Sequence, residues 1–224
     1  MAGQSADGMD EYVRPTELCD SEGEAIKRKA QEFAGDASTP AEAALGIFHF
    51  VRDEILFGLG KFETASETLR KGTGFCVTKT NLQVALLRAA GIPARYHQAV
   101  LAKDVLKGII PGWVHRMAPA KIWYHPWCEC YLSGKWVACE TLFDKALYSA
   151  ACRKSILSLE QIPTIDWDGS SDLCVVTAWM LEDVGTFPSM DDAFRKAQSE
   201  QPPDPIGAIV LNFSNRYTDK LRKG

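Results

Sequence analysis

The sequence lacks most of the features that assign a chain at sight. Its apolar runs fall short of the ~18 residues a bilayer-spanning helix needs, so no membrane partner is expected. The opening Met1-Ala2-Gly3-Gln4-Ser5-Ala6-Asp7 has neither the basic start nor the apolar stretch of a secretion signal. Internal repeats and low-complexity tracts are absent. No calcium-loop pattern occurs, and Lys71-Gly72-Thr73-Gly74 lacks the spacing of a phosphate-binding loop, so no cofactor is indicated. Basic residues cluster only at Lys27-Arg28-Lys29 and Arg222-Lys223, and the net charge of −4 gives no reason to expect nucleic acid.

What is present is an ordinary globular composition, 46% hydrophobic and 24% charged over 224 residues, ample for a hydrophobic core. The cysteines number seven, an odd count without repeating spacing, in a chain too long to need disulfide staples. They read as reduced thiols in a cytoplasmic protein, one of them reactive.

Residues 1–20 are expected to form a flexible N-terminal tail, and 21–224 a single domain with a core at 40–145 and a C-terminal elaboration at 146–224. A helix is expected from Glu22 to about Phe33. A second follows Thr39, with Pro40 at its first position and Glu42 completing a capping box; Ala44, Ile47, Phe48, Val51 and Ile55 recur at helical spacing. A third follows Gly74-Phe75-Cys76 and runs to Ala90, with Leu82, Ala85, Leu86 and Ala89 as its apolar stripe and Gly91 as its left-handed stop. Strands are expected at 94–101, 121–132 and 135–143, an irregular loop at 103–120, a strand at 173–179 and a short helix opened by Ser189 and Asp192. A final amphipathic helix carries Ile206, Ile209, Val210, Phe213, Tyr217 and Leu221. Helices first and antiparallel strands after indicate an α+β architecture.

Chemistry concentrates at Cys76. A thiol that opens a helix feels the positive end of the helix dipole, which favours thiolate, and the glycines before it admit a close substrate. A thiolate nucleophile needs an imidazole. His49 lies mid-helix between two phenylalanines, His97 in a strand and His115 in the irregular loop, whereas His125 precedes a hairpin, 127–140, closed by Ser133-Gly134. With a two-residue turn, Leu132 pairs with Lys135, Tyr131 with Trp136 and Glu129 with Ala138. His125, Trp127, Glu129 and Glu140 then share one face, while Cys128, Cys130, Val137 and Cys139 share the core face. Glu140 becomes a diagonal neighbour able to orient His125. Asp144 is an alternative on the same face, and a three-residue turn would reverse the faces. The same parity separates His125 from Cys128 and Cys130, against a zinc cluster.

These segments resemble the transglutaminase-like superfamily. Gly74-Phe75-Cys76-Val77-Thr78-Lys79 with Ala85-Leu86-Leu87-Arg88-Ala89-Ala90-Gly91-Ile92-Pro93 is similar to its nucleophile segment. His125-Pro126-Trp127-Cys128-Glu129-Cys130-Tyr131 with Gly134-Lys135-Trp136-Val137 is similar to its histidine hairpin, and Phe50-Val51-Arg52-Asp53-Glu54-Ile55 to the preceding helix. The resemblance implies a papain-like core, a cysteine heading a helix packed on an antiparallel sheet, and thiolate attack on an amide or thioester carbonyl. One departure stands out: the third residue in that family is usually aspartate, and here Glu140 occupies its place. Three functions follow as expectations. The first is hydrolysis or transfer at an amide in a peptide or small molecule. The second is a biosynthetic cyclase or acyltransferase on an acyl thioester from an acyl carrier protein, with Trp113, Trp123 and Trp127 as an apolar substrate wall. The third is an inactive binding module of the same fold.

Overall fold

The computed structural model describes residues 8–199 and 206–223. Cap chemistry sets the helices of the first half. Helix α1 spans Glu24–Asp36 and α2 spans Pro40–Asp53, where the Thr39 hydroxyl accepts from the Glu42 N–H at 3.2 Å. The Glu42 carboxylate accepts from Ser38 N–H rather than from Thr39, so the expected box closes one residue further back. A two-residue strand β1 (Leu56–Phe57) pairs in parallel with β2 (Thr73–Gly74). Between them α3 (Ala65–Lys71) carries a complete Thr64/Glu67 capping box and stops at Gly72, whose φ of 68° is the left-handed conformation glycine tolerates.

Helix α4 (Cys76–Ala89) is the axis of the molecule, and every residue from Val77 to Arg88 is buried. The sequence shows an apolar stripe on this helix; the structure adds a polar load, with each buried polar side chain bonded. Lys79 Nζ donates to the carbonyls of Arg52 and Ile55, and Asn81 donates to Leu18 O and accepts from the Tyr96 hydroxyl. Arg88 donates to three carbonyls, those of Arg14, Ala94 and Pro188. Such full satisfaction is what makes polar burial tolerable.

Against α4 lies a four-stranded antiparallel sheet ordered β5-β4-β3-β6. Its strands are β3 (Ala94–Ala102), β4 (Lys121–Leu132), β5 (Lys135–Ala138) and β6 (Met180–Phe187). Ser133 and Gly134 have φ of 51° and 85°, the paired positive angles of a tight two-residue hairpin turn, and Leu132 lies opposite Lys135 and Glu129 opposite Ala138. The remaining helices are α5 (Gly112–Met117), α6 (Lys145–Arg153), α7 (Asp191–Ser199) and α8 (Ile206–Lys223).

Four expectations are corrected. Residues 1–7 lie outside the described set, but 8–20 are packed rather than loose: Cys19 is fully buried, and Asp191 accepts from Thr16 Oγ1 and Leu18 N–H. The 103–120 stretch is not structureless, since it holds a short 3-10 turn at Lys103–Leu106 and α5. No strand forms at 173–179. There Leu173 makes one parallel bridge to Cys139, Val175 spends its N–H on the Glu140 carboxylate, and β6 begins only at Met180. Finally, α8 packs by its polar face. Asn215 bonds both the N–H and the carbonyl of Leu59, Thr218 bonds Ile109 O and Arg222 bonds Phe57 O, which leaves Ile209, Phe213 and Tyr217 exposed. Leu221 is buried as its spacing indicated, and the side chain of Ile206 lies outside the described set.

Candidate active site

Cys76 is the first residue of α4, where backbone N–H groups have no intrahelical acceptor. The Thr78 hydroxyl accepts from Phe75 N–H at 3.1 Å and fixes the entry to the helix. Gly74 is required beneath it, because a Cβ there would stand 2.6 Å from Thr78 Oγ1 and 3.1 Å from Lys79 Cγ. Cys76 is half-buried, whereas Cys128, Cys130 and Cys139 are buried on the core face of the hairpin. Burial also pushes the thiols of Cys19 and Cys174 up, to about 11 and about 12.

His125 comes to Cys76 from β4, and a bulge aims it. Ala99 of β3 pairs with His125 and Leu101 with Ile122, so β4 carries one residue more than β3 across this interval. The extra residue breaks strict alternation. As a result Trp123, Tyr124 and His125 all line one cavity, and the Trp123 carbonyl is satisfied by the buried Gln98 side chain at 3.1 Å.

The imidazole lies between two partners. Its Nε2 is 2.9 Å from Glu140 Oε1, and Cys76 and His125 line one cavity, near enough for the charge of Cys76 to act on the ring. His125 and Glu140 are each about 2% exposed. Burial by itself would depress the His125 pKa, but the nearby Cys76 charge and the Glu140 contact outweigh it and push the imidazole up to about 10. Glu140 is held from behind, since its Oε2 accepts from Val175 N–H at 2.7 Å. Cys76, His125 and Glu140 thus meet in one place.

Other expected site residues lie elsewhere. Asp144 accepts from Phe57 N–H and Leu147 N–H and takes a two-pronged bond from Arg222, so it caps α6 and holds α8 instead of reaching His125. Of the three tryptophans, Trp123 lines the cavity. Trp113 packs edge-on against Phe213, and Trp127 is buried, stacked on His97 at 4.2 Å. Glu129 joins His97 and Arg95 in a separate cluster.

Two residues escaped the reading of the sequence. Thr80 and Gln83 follow Cys76 at helical spacing, on the same side of α4. Thr80 donates to Pro126 O at 3.1 Å, beside His125, while Gln83 donates to Cys139 O at 2.9 Å and accepts from Thr141 Oγ1 at 3.0 Å, flanking Glu140. One helix face therefore registers all three site residues. The signal was available as polar residues at i+4 and i+7 from the cysteine, on the same side of the helix.

The helix-borne thiol, the hairpin imidazole and the sheet behind them define a papain/transglutaminase-like fold. The family profile of the transglutaminase-like superfamily matches residues 27–141, just over half of the chain, and the chain belongs to that superfamily. Among solved structures it is similar to a candidate cysteine protease from Cytophaga hutchinsonii, with a TM-score of 0.51 and 18% identity over 85% of this chain and 50% of that one. The chain thus spans about half the length of that structure. It is also similar to a candidate protease from Parabacteroides distasonis ATCC 8503, with a TM-score of 0.39 and 18% identity over 58% of this chain and 25% of that one. No curated protein matches. Family membership supports an enzyme of the cysteine-dependent hydrolase or acyltransferase kind. Among the described residues, no helix is long and apolar enough to cross a membrane.

Proposed function

We propose that the chain catalyses acyl transfer through a thioester acyl-enzyme, with Cys76 as nucleophile, His125 as acid and base, and Glu140 as the group that orients His125. The observation that supports this most is the buried His125 imidazole, bonded to Glu140 at 2.9 Å and lining one cavity with Cys76. In the reacting state sulfur is the nucleophile and His125 holds the proton. Sulfur attacks the carbonyl carbon of an amide or thioester, and the C–S bond forms as the carbonyl π pair moves to oxygen. The Cys76 N–H, which has no intrahelical acceptor at the start of α4, bonds that oxygen in this reading. Collapse of the adduct breaks the bond to the leaving amine or thiol, which takes the His125 proton. Neutral His125 then removes a proton from water or an amine, which attacks the thioester and releases Cys76. Glu140 keeps the imidazole in one orientation through both halves.

The test is the iodoacetamide labelling rate of each cysteine from pH 5 to 9, in wild type and His125→Ala, read by mass spectrometry. Fast, His125-dependent labelling at Cys76 supports the pair. Labelling at Cys76 no faster than at Cys152, another half-buried thiol, returns the chain to a binding module of the same fold.

A further inference from the structure

Beside Cys76 and His125 lies a cavity of about 250 Å³. Phe57, Leu59, Phe62, Leu106, Ile122 and Trp123 are among the apolar residues of its wall. Besides Cys76 and His125, only Tyr124 and the indole N–H of Trp123 bring polar side-chain atoms to its lining, and no charged or amide side chain reaches it among the described residues. The wall is assembled from distant parts of the chain: Phe57 ends β1, Phe62 precedes α3, Leu106 ends the 3-10 turn after β3, and Trp123 sits at the β4 bulge. Trp123 is 52% exposed and stands at the outer end, with Lys121 over its ring.

We infer that this cavity receives the acyl group, and that the acyl donor is an unsubstituted apolar acyl chain of medium length carried as a thioester or similarly activated ester. The inference rests on the catalytic reading above and deepens it. Three arguments lead there. The first is chemical. A peptide donor brings amide N–H and carbonyl groups next to the scissile bond, and burying them without partners costs free energy that this wall does not return. A carboxylate-bearing acyl group fares worse. The second is size. A cavity of ~150 Å³ holds a benzene ring, so in proportion about 250 Å³ holds roughly eight to ten carbons. The third is location. The cavity includes the two reacting side chains, so an acyl chain within it presents its carbonyl to sulfur while the leaving group projects toward Trp123 and solvent.

The experiment uses a series of N-acetylcysteamine thioesters from butyryl to tetradecanoyl, with succinyl and N-acetylphenylalanyl thioesters as contrasts. The rate of acyl-enzyme formation on Cys76 is followed by intact-mass and peptide mass spectrometry. Each added methylene should raise the rate about fourfold, from ~0.8 kcal/mol of burial, until the cavity is full near eight to ten carbons. Leu106→Trp, at a half-buried wall position, should move the optimum to shorter chains. Circular dichroism and the iodoacetamide rate at Cys76 establish that this variant is folded with its nucleophile intact. A flat series, or faster acylation by succinyl or N-acetylphenylalanyl than by octanoyl, overturns the inference while leaving Cys76 as a working nucleophile. An optimum unmoved in folded Leu106→Trp also overturns it. If no donor acylates Cys76 and iodoacetamide finds it no faster than Cys152, the catalytic reading fails and the inference fails with it.

Discussion

At the scale of single residues, the site is a problem in placing a charge. The His125 imidazole is buried, which disfavours its cation, yet its pKa is pushed up to about 10 because Cys76 and Glu140 reward the proton. In Cys76→Ala the main reward is gone while burial remains. His125 should then titrate at lower pH than in wild type, as read by imidazole NMR shifts. In the wild type, a raised folded-state pKa means stability that is complete below the unfolded value of 6.5 and lost as pH climbs through about 10. Acylation should fade over the same alkaline range, since the leaving group then has no imidazolium proton to take; a pH profile of acyl-enzyme formation checks this. Glu140→Gln keeps the shape and removes the charge. It should lower kcat by about 10²-fold or more and shift the alkaline limb downward, measured on any donor that acylates Cys76. The placement of Cys76 at a helix start and of His125 beside Glu140 was legible in the sequence because helix position and strand parity depend on neighbours within a few residues. The Val175 N–H behind Glu140 was not, because it arrives from 35 residues away without a pattern of its own.

At the scale of elements, α4 and the β4–β5 hairpin were readable for the same reason: glycine stops, a two-residue turn and local periodicity decide them. The failures lie where side chains compete for backbone groups. The 173–179 segment looked like a strand by composition, but its donors are drawn to Ala138 and Glu140. The last helix reads as amphipathic by its spacing, but Asn215, Thr218 and Arg222 find carbonyls and a carboxylate that no periodicity announces. The bulge in β4 was likewise silent, and without it Tyr124 would turn from the cavity. The element most exposed to a single change is the entry to α4. Gly74→Ala drives a methyl into the Thr78 hydroxyl at 2.6 Å, so the cap on Phe75 must shift. The expected loss is about 2 kcal/mol in urea unfolding, together with slower iodoacetamide labelling of Cys76.

At the scale of the whole molecule, late parts of the chain close over the matched core. Arg222 of α8 forks onto Asp144, which also caps α6 and bonds Phe57 N–H. Arg222→Ala leaves a buried carboxylate with only its backbone partners and should cost about 3 kcal/mol in chemical unfolding. Burial alone would raise the Asp144 pKa, but Arg222 and the backbone donors depress it below 3.8. The pair's contribution is therefore present above that pH and lost as pH falls through the folded value; in Arg222→Ala the acid limb of the stability profile should flatten. The dependence on distant partners also orders events during synthesis. A nascent chain that has emerged as far as Thr141 already holds Cys76, His125 and Glu140, but not Val175, which steadies Glu140, nor Ala197, which completes the cavity wall. Its N-terminal segment meanwhile awaits Asp191, 175 residues after Thr16. The three site residues are thus synthesised well before the segments that hold Glu140 and close the cavity wall.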